Sequence, residues 1–321
     1  MREGEIGELE AVTAFAPAGI GNLAAGFDVL GAAIAPLDGR LWGDLVEVRP
    51  AKSDSLQCVG PFAHRLPANP KDNLVWRARS AFERQIGGPL PPLAFVLHKN
   101  LPVASGLGSS ASSAAATTVA LNEACGRPLG EESLLLVAGE AESSASGAMH
   151  LDNVAPALLG GLRLVDPANR ARELPFPEEL VFVLWVPELS LETRVARSVL
   201  PRDVSVPLAI AHAQNLGSLI HALHTHDLEL LAKALRDPLA EPFRAALVPG
   251  FRAVQTAVLA AGALGCSLSG AGPAIFAVTR REAAVRIAGI GEAAWRANGV
   301  AVEARVCHLD KLGARRVNGG A

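Results

Sequence analysis

The stretch from Pro102 to Ala116, P-V-A-S-G-L-G-S-S-A-S-S-A-A-A, holds the densest chemistry in this sequence. It follows the apolar run Leu93 to Leu97 and leads into small, helix-compatible residues, so it sits where a strand turns into a helix. Such a junction binds anions. Gly106 and Gly108 let the backbone turn and approach a ligand, and the first N–H groups of the helix, with its dipole, favour a phosphate. Ser109, Ser110, Ser112 and Ser113 add hydroxyls that can donate to phosphate oxygens or bind a hard cation. Asn22 and Asp28 stand in a loop of small and apolar residues. They are either turn chemistry or, for the carboxylate, a group in need of a partner, because unpaired burial is costly. Glu140 and Glu142 close a helical pattern at the end where the dipole opposes them, so they are either solvated or one of them has another partner.

Three readings of the glycine- and serine-rich loop stand side by side. A Walker A loop is excluded, because no lysine lies between Pro102 and Ala116. Gly106-x-Gly108-x-x-Ala111 and Gly19-x-Gly21-x-x-Ala24 both match a loose dinucleotide fingerprint, although no helical periodicity follows the second, as that fold requires. The third reading is a turn that closes an alanine-rich helix.

The elements that must position these residues follow from periodicity. Strands are predicted at 12–17 (ended by Pro17), 33–37 and 44–50, with loop over 53–71 and a helix over 73–85. The helix after the loop stops near Gly126-Arg127-Pro128, and a second amphipathic helix runs over 131–144. From Val154 to Val165 the order is helix, turn, strand, and the polar, proline-rich stretch 166–179 marks a boundary between domains 1–165 and 166–321. The second half opens on the strand 180–187. Helices are predicted at 193–198, 206–223, 227–236, 251–261 and 281–298, strands at 274–278 and 300–309, and a frayed tail at 318–321. A second glycine- and serine-rich loop, Ser267 to Pro273, lies between the helix at 251–261 and the strand at 274.

Composition narrows the classes. At 321 residues, with 50% apolar and 19% charged residues, the chain is an ordered, two-domain, enzyme-like protein. A net charge of -3, 4% aromatic residues and no basic stripe argue against nucleic acid. Met1 to Glu8 is acidic without an apolar core, so no signal peptide is expected. The uncharged run 253–279 is broken by glycines and Pro273, so a membrane span is not expected either. Cys58, Cys125, Cys266 and Cys307 are dispersed and read as reduced thiols of a cytoplasmic protein. His221, His224 and His226 sit at a helix end without an acidic partner and read as surface, not as a metal cluster.

Three segments taken together, 16–23 (APAGIGNL), 106–111 (GLGSSA) and 268–273 (LSGAGP), resemble the three motifs of the GHMP kinase superfamily. Asn22-Leu23-x-x-Gly26-Phe27-Asp28, His150-x-Asp152-Asn153-x-Ala155-Pro156, Arg197-x-x-Leu200-Pro201 and Glu241-Pro242-x-Arg244 are similar, within it, to the homoserine kinases. The resemblance implies an α+β, two-domain fold, with an N-terminal domain like domain 2 of ribosomal protein S5, including a left-handed β-α-β crossover, and a ferredoxin-like C-terminal domain. It implies ATP and Mg²⁺ in the cleft, phosphorylation of the side-chain hydroxyl of L-homoserine for threonine biosynthesis, and a homodimer among the possible assemblies. By position it assigns the nucleotide to Asn73, Pro102, Val103, Ala104, Ser105, Gly106, Leu107, Gly108, Ser109, Ser110, Ala111, Ser112, Ser113, Gly270 and Gly272. Ser110 and Glu142 hold the metal. Asp28 holds the ammonium, Arg197 and Arg244 the carboxylate, with His150, Asn153 and Thr193 nearby and Asn22 at the reacting hydroxyl. Asn22, Glu142 and Arg197 form the expected catalytic set, without a dedicated carboxylate base. The chemistry supports this assignment independently, since a small zwitterion asks for one carboxylate and one or two guanidinium forks. Lys99 is left either as a helper to the phosphates or as a solvated strand-end lysine.

Overall fold

The first strand of the structure belongs to two sheets. In the computed structural model, which describes residues 9–67, 69–146 and 150–318, the strands are β1 (Val12–Gly21), β2 (Leu30–Pro36), β3 (Gly43–Pro50), β4 (Ser55–Val59), β5 (Leu93–His98), β6 (Leu162–Val165), β7 (Ala171–Leu174), β8 (Leu180–Pro187), β9 (Gly265–Leu268), β10 (Ile275–Arg280), β11 (Val302–Leu309) and β12 (Arg315–Val317). The helices are α1 (Leu74–Ile86), α2 (Ser109–Ala124), α3 (Glu131–Ser146), α4 (Val154–Leu159), α5 (Thr193–Ser198), α6 (Val206–Thr225), α7 (Leu228–Ala234), α8 (Glu241–Arg244), α9 (Phe251–Ala260) and α10 (Ala284–Ala297). Residues 12–17 of β1 pair with β3, and residues 18–21 pair with β2. Pro17 therefore does not end the strand, contrary to the expectation above. It sits where the strand changes partner, and the next N–H, that of Ala18, goes to Trp42 O at 2.8 Å.

The first sheet runs β4-β5-β3-β1-β12, antiparallel except for the parallel pair β4 and β5, which α1 connects. One face is covered by α1 to α4, whose alanines and valines pack with Val46, Val48, Phe95 and Leu97. The second sheet runs β2-β11-β8-β10-β9, with β6 on β2 and β7 on β6. Its strands β8, β9, β10 and β11 give the β-α-β-β-α-β order of a ferredoxin-like domain. β8 is apolar throughout because both of its faces are covered. Phe182 and Leu184 pack towards α6 and α7, and Val181, Val183 and Trp185 towards α9 and α10. This two-domain α+β architecture agrees with the expected fold class.

Four strands were not anticipated. β4 and β7 lie in stretches read as loop, β9 overlaps the start of the second glycine-rich loop, and β12 lies just before the expected tail. Each is three to five residues long, too short for a periodicity to emerge, and exists through pairing with distant chain. The β6 and β7 hairpin straddles 165/166, and β12 returns to β1, so the two halves are interlaced at both ends. The uncharged run 253–279 resolves into α9, β9, a loop and β10. No helix among the described residues is long and apolar enough to cross a membrane. The four cysteines are free. No group of three or more metal-type ligands occurs among the described residues, the histidines of α6 included. Residues 1–8 and 319–321, which hold the leader expectation and all of the tail expectation but Asn318, lie outside the described residues.

Candidate active site

Helix α2 is buried on nearly all sides, which its run of Ala, Ser and Thr makes possible by letting β1, β3, α1 and α3 approach closely. Its entry residue, Gly108, is left-handed (φ 63°) and offers no side-chain cap. The leading N–H groups of α2 are thus available to an anion, and Gly108, Ser109 and Ser110 line a cavity of about 700 Å³. Gly106 (φ 83°) is required by close approach as well as by conformation, since a Cβ there would stand 2.3 Å from Ser269 O. The second glycine-rich loop is docked on the first. Ser269 Oγ donates to Gly106 O at 2.6 Å, Ala274 N to Ser105 O at 3.0 Å and Gly270 N to Gly21 O at 3.0 Å. Gly270 and Gly272 line the cavity from that side.

The serines divide unequally. Ser109 Oγ donates to Leu101 O at 3.2 Å, Ser112 Oγ to Ala16 O at 2.7 Å and Ser113 Oγ to Asp44 Oδ2 at 2.5 Å. Those three hydroxyls are engaged within the protein; Ser109 and Ser113 still line the cavity, Ser112 does not, and Ser110 is the one whose hydroxyl turns to Glu142. Side chains of Leu107, Ala111 and Ser112 are buried in the core and do not line the cavity, nor does Pro102, whereas Val103, Ala104, Ser105 and Ser113 do. Lys99 is not a solvated strand-end lysine, although it does line the cavity. It is buried in an ion pair with Asp44 and donates to Ser109 O at 2.8 Å and Ser113 Oγ at 3.0 Å, while Asp44 Oδ1 accepts from the N–H groups of Asn100 (2.9 Å) and Leu101 (3.0 Å). Together they brace the strand-to-helix junction from beneath.

Ser110 Oγ donates to Glu142 Oε1 at 3.1 Å, bringing α2 and α3 together at the cavity wall. Burial pushes the Glu142 carboxyl above its usual range, against the pull of the Ser110 hydrogen bond and the Arg197 charge. Glu140, by contrast, pairs with Arg84 on the exposed side at 2.6 Å. A half-buried carboxylate beside a hydroxyl is a hard-oxygen pair that fits a divalent cation of the Mg²⁺ type, which takes only one or two protein ligands.

Asp28 lies on a left-handed turn between β1 and β2, with Asn22, Leu23, Ala24 and Asp28 all at positive φ. This conformation rules out the helix a dinucleotide fold needs after Gly19-x-Gly21. Arg197 on α5 meets Asp28 bidentately, Nη1 to Oδ2 at 2.9 Å and Nη2 to Oδ1 at 2.8 Å. His150 Nδ1 stands 3.6 Å from Asp28, and burial lowers its pKa, opposed by the Asp28 charge. Arg244 is buried, its Nε on Ala196 O and Nη1 on Gly270 O, each at 3.1 Å. Its helix is anchored by Glu241, which accepts from Arg252 (2.6 Å), Gln255 (3.0 Å) and Ser267 (2.7 Å). Asn22 receives Asp28 N on Oδ1 at 3.0 Å and donates to Gly270 O at 3.1 Å, which leaves one N–H and one lone pair of its amide for a ligand. Asn73 is the N-cap of α1 through Val75 N at 3.0 Å and faces the cavity beside Leu74. Thr193, at the start of α5, and Asn153, at the start of α4, also line it. Asn153 Nδ2 donates to the buried Asp152 Oδ2 at 3.2 Å. The structure thus gathers residues from 22 to 272 around one cavity. Sequence reasoning missed Phe27, despite the Gly26-Phe27-Asp28 pattern, and the Asp44 partner of Lys99.

The description "GHMP kinases N terminal domain" matches residues 73–161, and "GHMP kinases C terminal" matches 219–297. A crystal structure of homoserine kinase from Cytophaga hutchinsonii is similar at 33% identity and a TM-score of 0.88, covering 99% of this chain and 100% of that one. A putative homoserine kinase from Listeria monocytogenes is similar at 22% identity, with a TM-score of 0.71 and coverage of 96% and 100%. The mevalonate kinase of L. major, in complex with R-mevalonate, shares the fold at 17% identity, with a TM-score of 0.66 and coverage of 93% and 97%. With both domain descriptions matched in order and near-complete coverage at 33% identity, this chain belongs to the GHMP kinase family.

Proposed function

We propose that this protein transfers the γ-phosphoryl group of ATP to the side-chain hydroxyl of L-homoserine, giving O-phospho-L-homoserine, a reaction of threonine biosynthesis in the cytoplasm. The observation that carries the proposal is the charge set of one cavity: Asp28, Arg197 and Arg244 line it together with the Ser110 and Glu142 pair and the open end of α2. A carboxylate and two guanidiniums match the two charged ends of an amino acid, and the similar homoserine kinase from Cytophaga hutchinsonii supports this substrate. A mevalonate-type substrate brings no ammonium to Asp28, which would then serve Arg197 alone.

The residues divide the work. The N–H groups of α2 and the backbone of Gly106 and Gly108 hold the triphosphate, with Val103, Leu74 and Asn73 lining the adenine side. Ser110 and Glu142 hold Mg²⁺, which when bound neutralises phosphate charge. Asp28 takes the ammonium and Arg197 and Arg244 the carboxylate, with His150 and Thr193 beside them, and the remaining N–H of Asn22 or that of Asn153 orients the hydroxyl. No carboxylate is assigned as base. Phosphoryl transfer through a loose transition state asks for positioning and charge stabilisation more than for nucleophile activation. The test is ADP release with homoserine, mevalonate and galactose, each with and without Mg²⁺. Turnover with homoserine alone supports the proposal, turnover with mevalonate or galactose replaces it, and no turnover with any leaves a non-catalytic binding module on this fold.

A further inference from the structure

Phe27 is the half-buried aromatic residue that precedes Asp28 on the left-handed turn. The guanidinium carbon of Arg244 lies 5.1 Å from its ring centroid, and that of Arg197 lies 5.9 Å away. Both fall within the range in which a ring's electron density attracts a cation. The arginines come from different elements, α5 and α8, and one ring touches both. The two cations are compensated unequally: Arg197 is paired with the Asp28 carboxylate, whereas Arg244 is held through carbonyl oxygens. Among the described residues Arg244 donates to carbonyl oxygens, Ala196 O and Gly270 O. Arg197 gives one N–H of each Nη to Asp28 and keeps the second, and among the described residues its buried Nε has no partner. Burial, and after it the like charge of Arg197, lowers the Arg244 pKa, as expected of two guanidiniums brought close in a partly dry site.

Resting on the reading of Arg197 and Arg244 as the carboxylate-binding pair, we infer that Phe27 is the positioning residue for that pair. Its ring holds two like charges at a fixed separation, so that a single carboxylate meets both forks, and it thereby sets the preference for a substrate with a carboxylate on the carbon that bears the ammonium. An aliphatic side chain of similar volume would fill the space without attracting either cation, and the guanidiniums would relax apart or turn to water.

The experiment compares Phe27→Leu and Phe27→Met, which remove the ring, with Phe27→Tyr, which keeps it. Steady-state kinetics are measured with L-homoserine, and 3-amino-1-propanol, which has the ammonium and hydroxyl but no carboxylate, is measured as a competitive inhibitor. Removing two cation–π interactions from a partly desolvated site corresponds to a rise of about tenfold in the homoserine KM. The expected result is that rise in both ring-less variants, with kcat within about twofold, an unchanged ATP KM and near-normal constants for Phe27→Tyr. The inhibition constant of 3-amino-1-propanol stays the same in all variants, because the carboxylate pair plays no part in its binding. The inference is overturned by an unchanged homoserine KM in the ring-less variants, by a Tyr variant as impaired as they are, or by an equal loss for 3-amino-1-propanol, which would mean that Phe27 merely supports the turn. An unmodified protein that does not turn over homoserine overturns the underlying reading itself, a separate and earlier failure.

Discussion

Replacing Asp152 with asparagine should make the protein more stable, by a margin that depends on pH. Asp152 is 3% exposed, and among the described residues its Oδ1 has no partner and its Oδ2 receives the Asn153 side-chain amide. Burial first, then the charges of Asp28 and Glu142, push its carboxyl up to about 7 from an ordinary 3.8, against the pull of Arg197 and an Asn153 hydrogen bond. A raised value in the fold means that the neutral carboxyl is the form the fold accepts. Its contribution to stability is complete below 3.8, is lost as pH rises, and has gone once pH passes about 7. A gap of about three units corresponds to a loss of roughly 4 kcal/mol on the plateau. Asparagine does not titrate, so Asp152→Asn should exceed the wild type by about 1–2 kcal/mol at pH 5 and about 4 kcal/mol at pH 8, measured by urea unfolding without substrates or divalent cations. An equal difference at both pH values refutes the reasoning. The same variant tests the proton's route. Without a carboxylate base, kcat at saturating substrates should stay within about tenfold of wild type, and Asn22→Ala should lose more. A fall of roughly 10²-fold or greater in a folded Asp152→Asn, the size of a general-base contribution, with a mild Asn22→Ala, makes Asp152 the catalytic base.

Glu142→Gln should keep the fold and lose most activity, because only the charged form can hold the cation beside Ser110; near-normal turnover at low Mg²⁺ would move the metal elsewhere. Arg197→Lys and Arg244→Lys should each raise the homoserine KM, since an ammonium cannot reproduce the paired donors of the fork, and an unchanged KM in both would displace the carboxylate site. Lys99→Met should cost about 3–5 kcal/mol in urea unfolding by leaving Asp44 buried and uncompensated, while Lys99→Met with Asp44→Asn should recover most of it; a single variant as stable as wild type would deny the pair its bracing role.

The long elements were legible because their periodicity is local. The strand 180–187 and the helix 193–198 have the bounds expected, and α1 begins one residue after its capping Asn73. The short strands were not, because β12 or β4 exists only once β1 or β5 is in place to pair with it, and a stretch such as Arg315-Arg316-Val317 has no strand signal of its own. Pro17 misled for a related reason. Proline ends a strand when its missing N–H is needed by a neighbour, and β1 changes neighbours at that residue.

For the site, residue type was legible and direction was not. The loop Gly106 to Ser113 and the charged residues Asp28, Glu142, Arg197 and Arg244 meet at one cavity, and each stands out in the sequence because its chemistry is rare in its surroundings. The hydroxyls look equivalent because sequence alone does not say which side of α2 faces the core. At 3.6 residues per turn, Ser109, Ser112 and Ser113 share one face and Ser110 stands off it. Once α2 is known to be buried on the side of β1 and β3, that face must be spent on Leu101 O, Ala16 O and Asp44, and only Ser110 can reach Glu142. Lys99 follows the same logic. A lysine at the end of a strand reads as solvated until the strand is placed beneath a buried helix, where its charge requires a carboxylate, and Asp44 on the neighbouring β3 supplies it. What the sequence leaves open is therefore mainly orientation, and orientation decides which of several chemically equal groups remains free to meet a ligand.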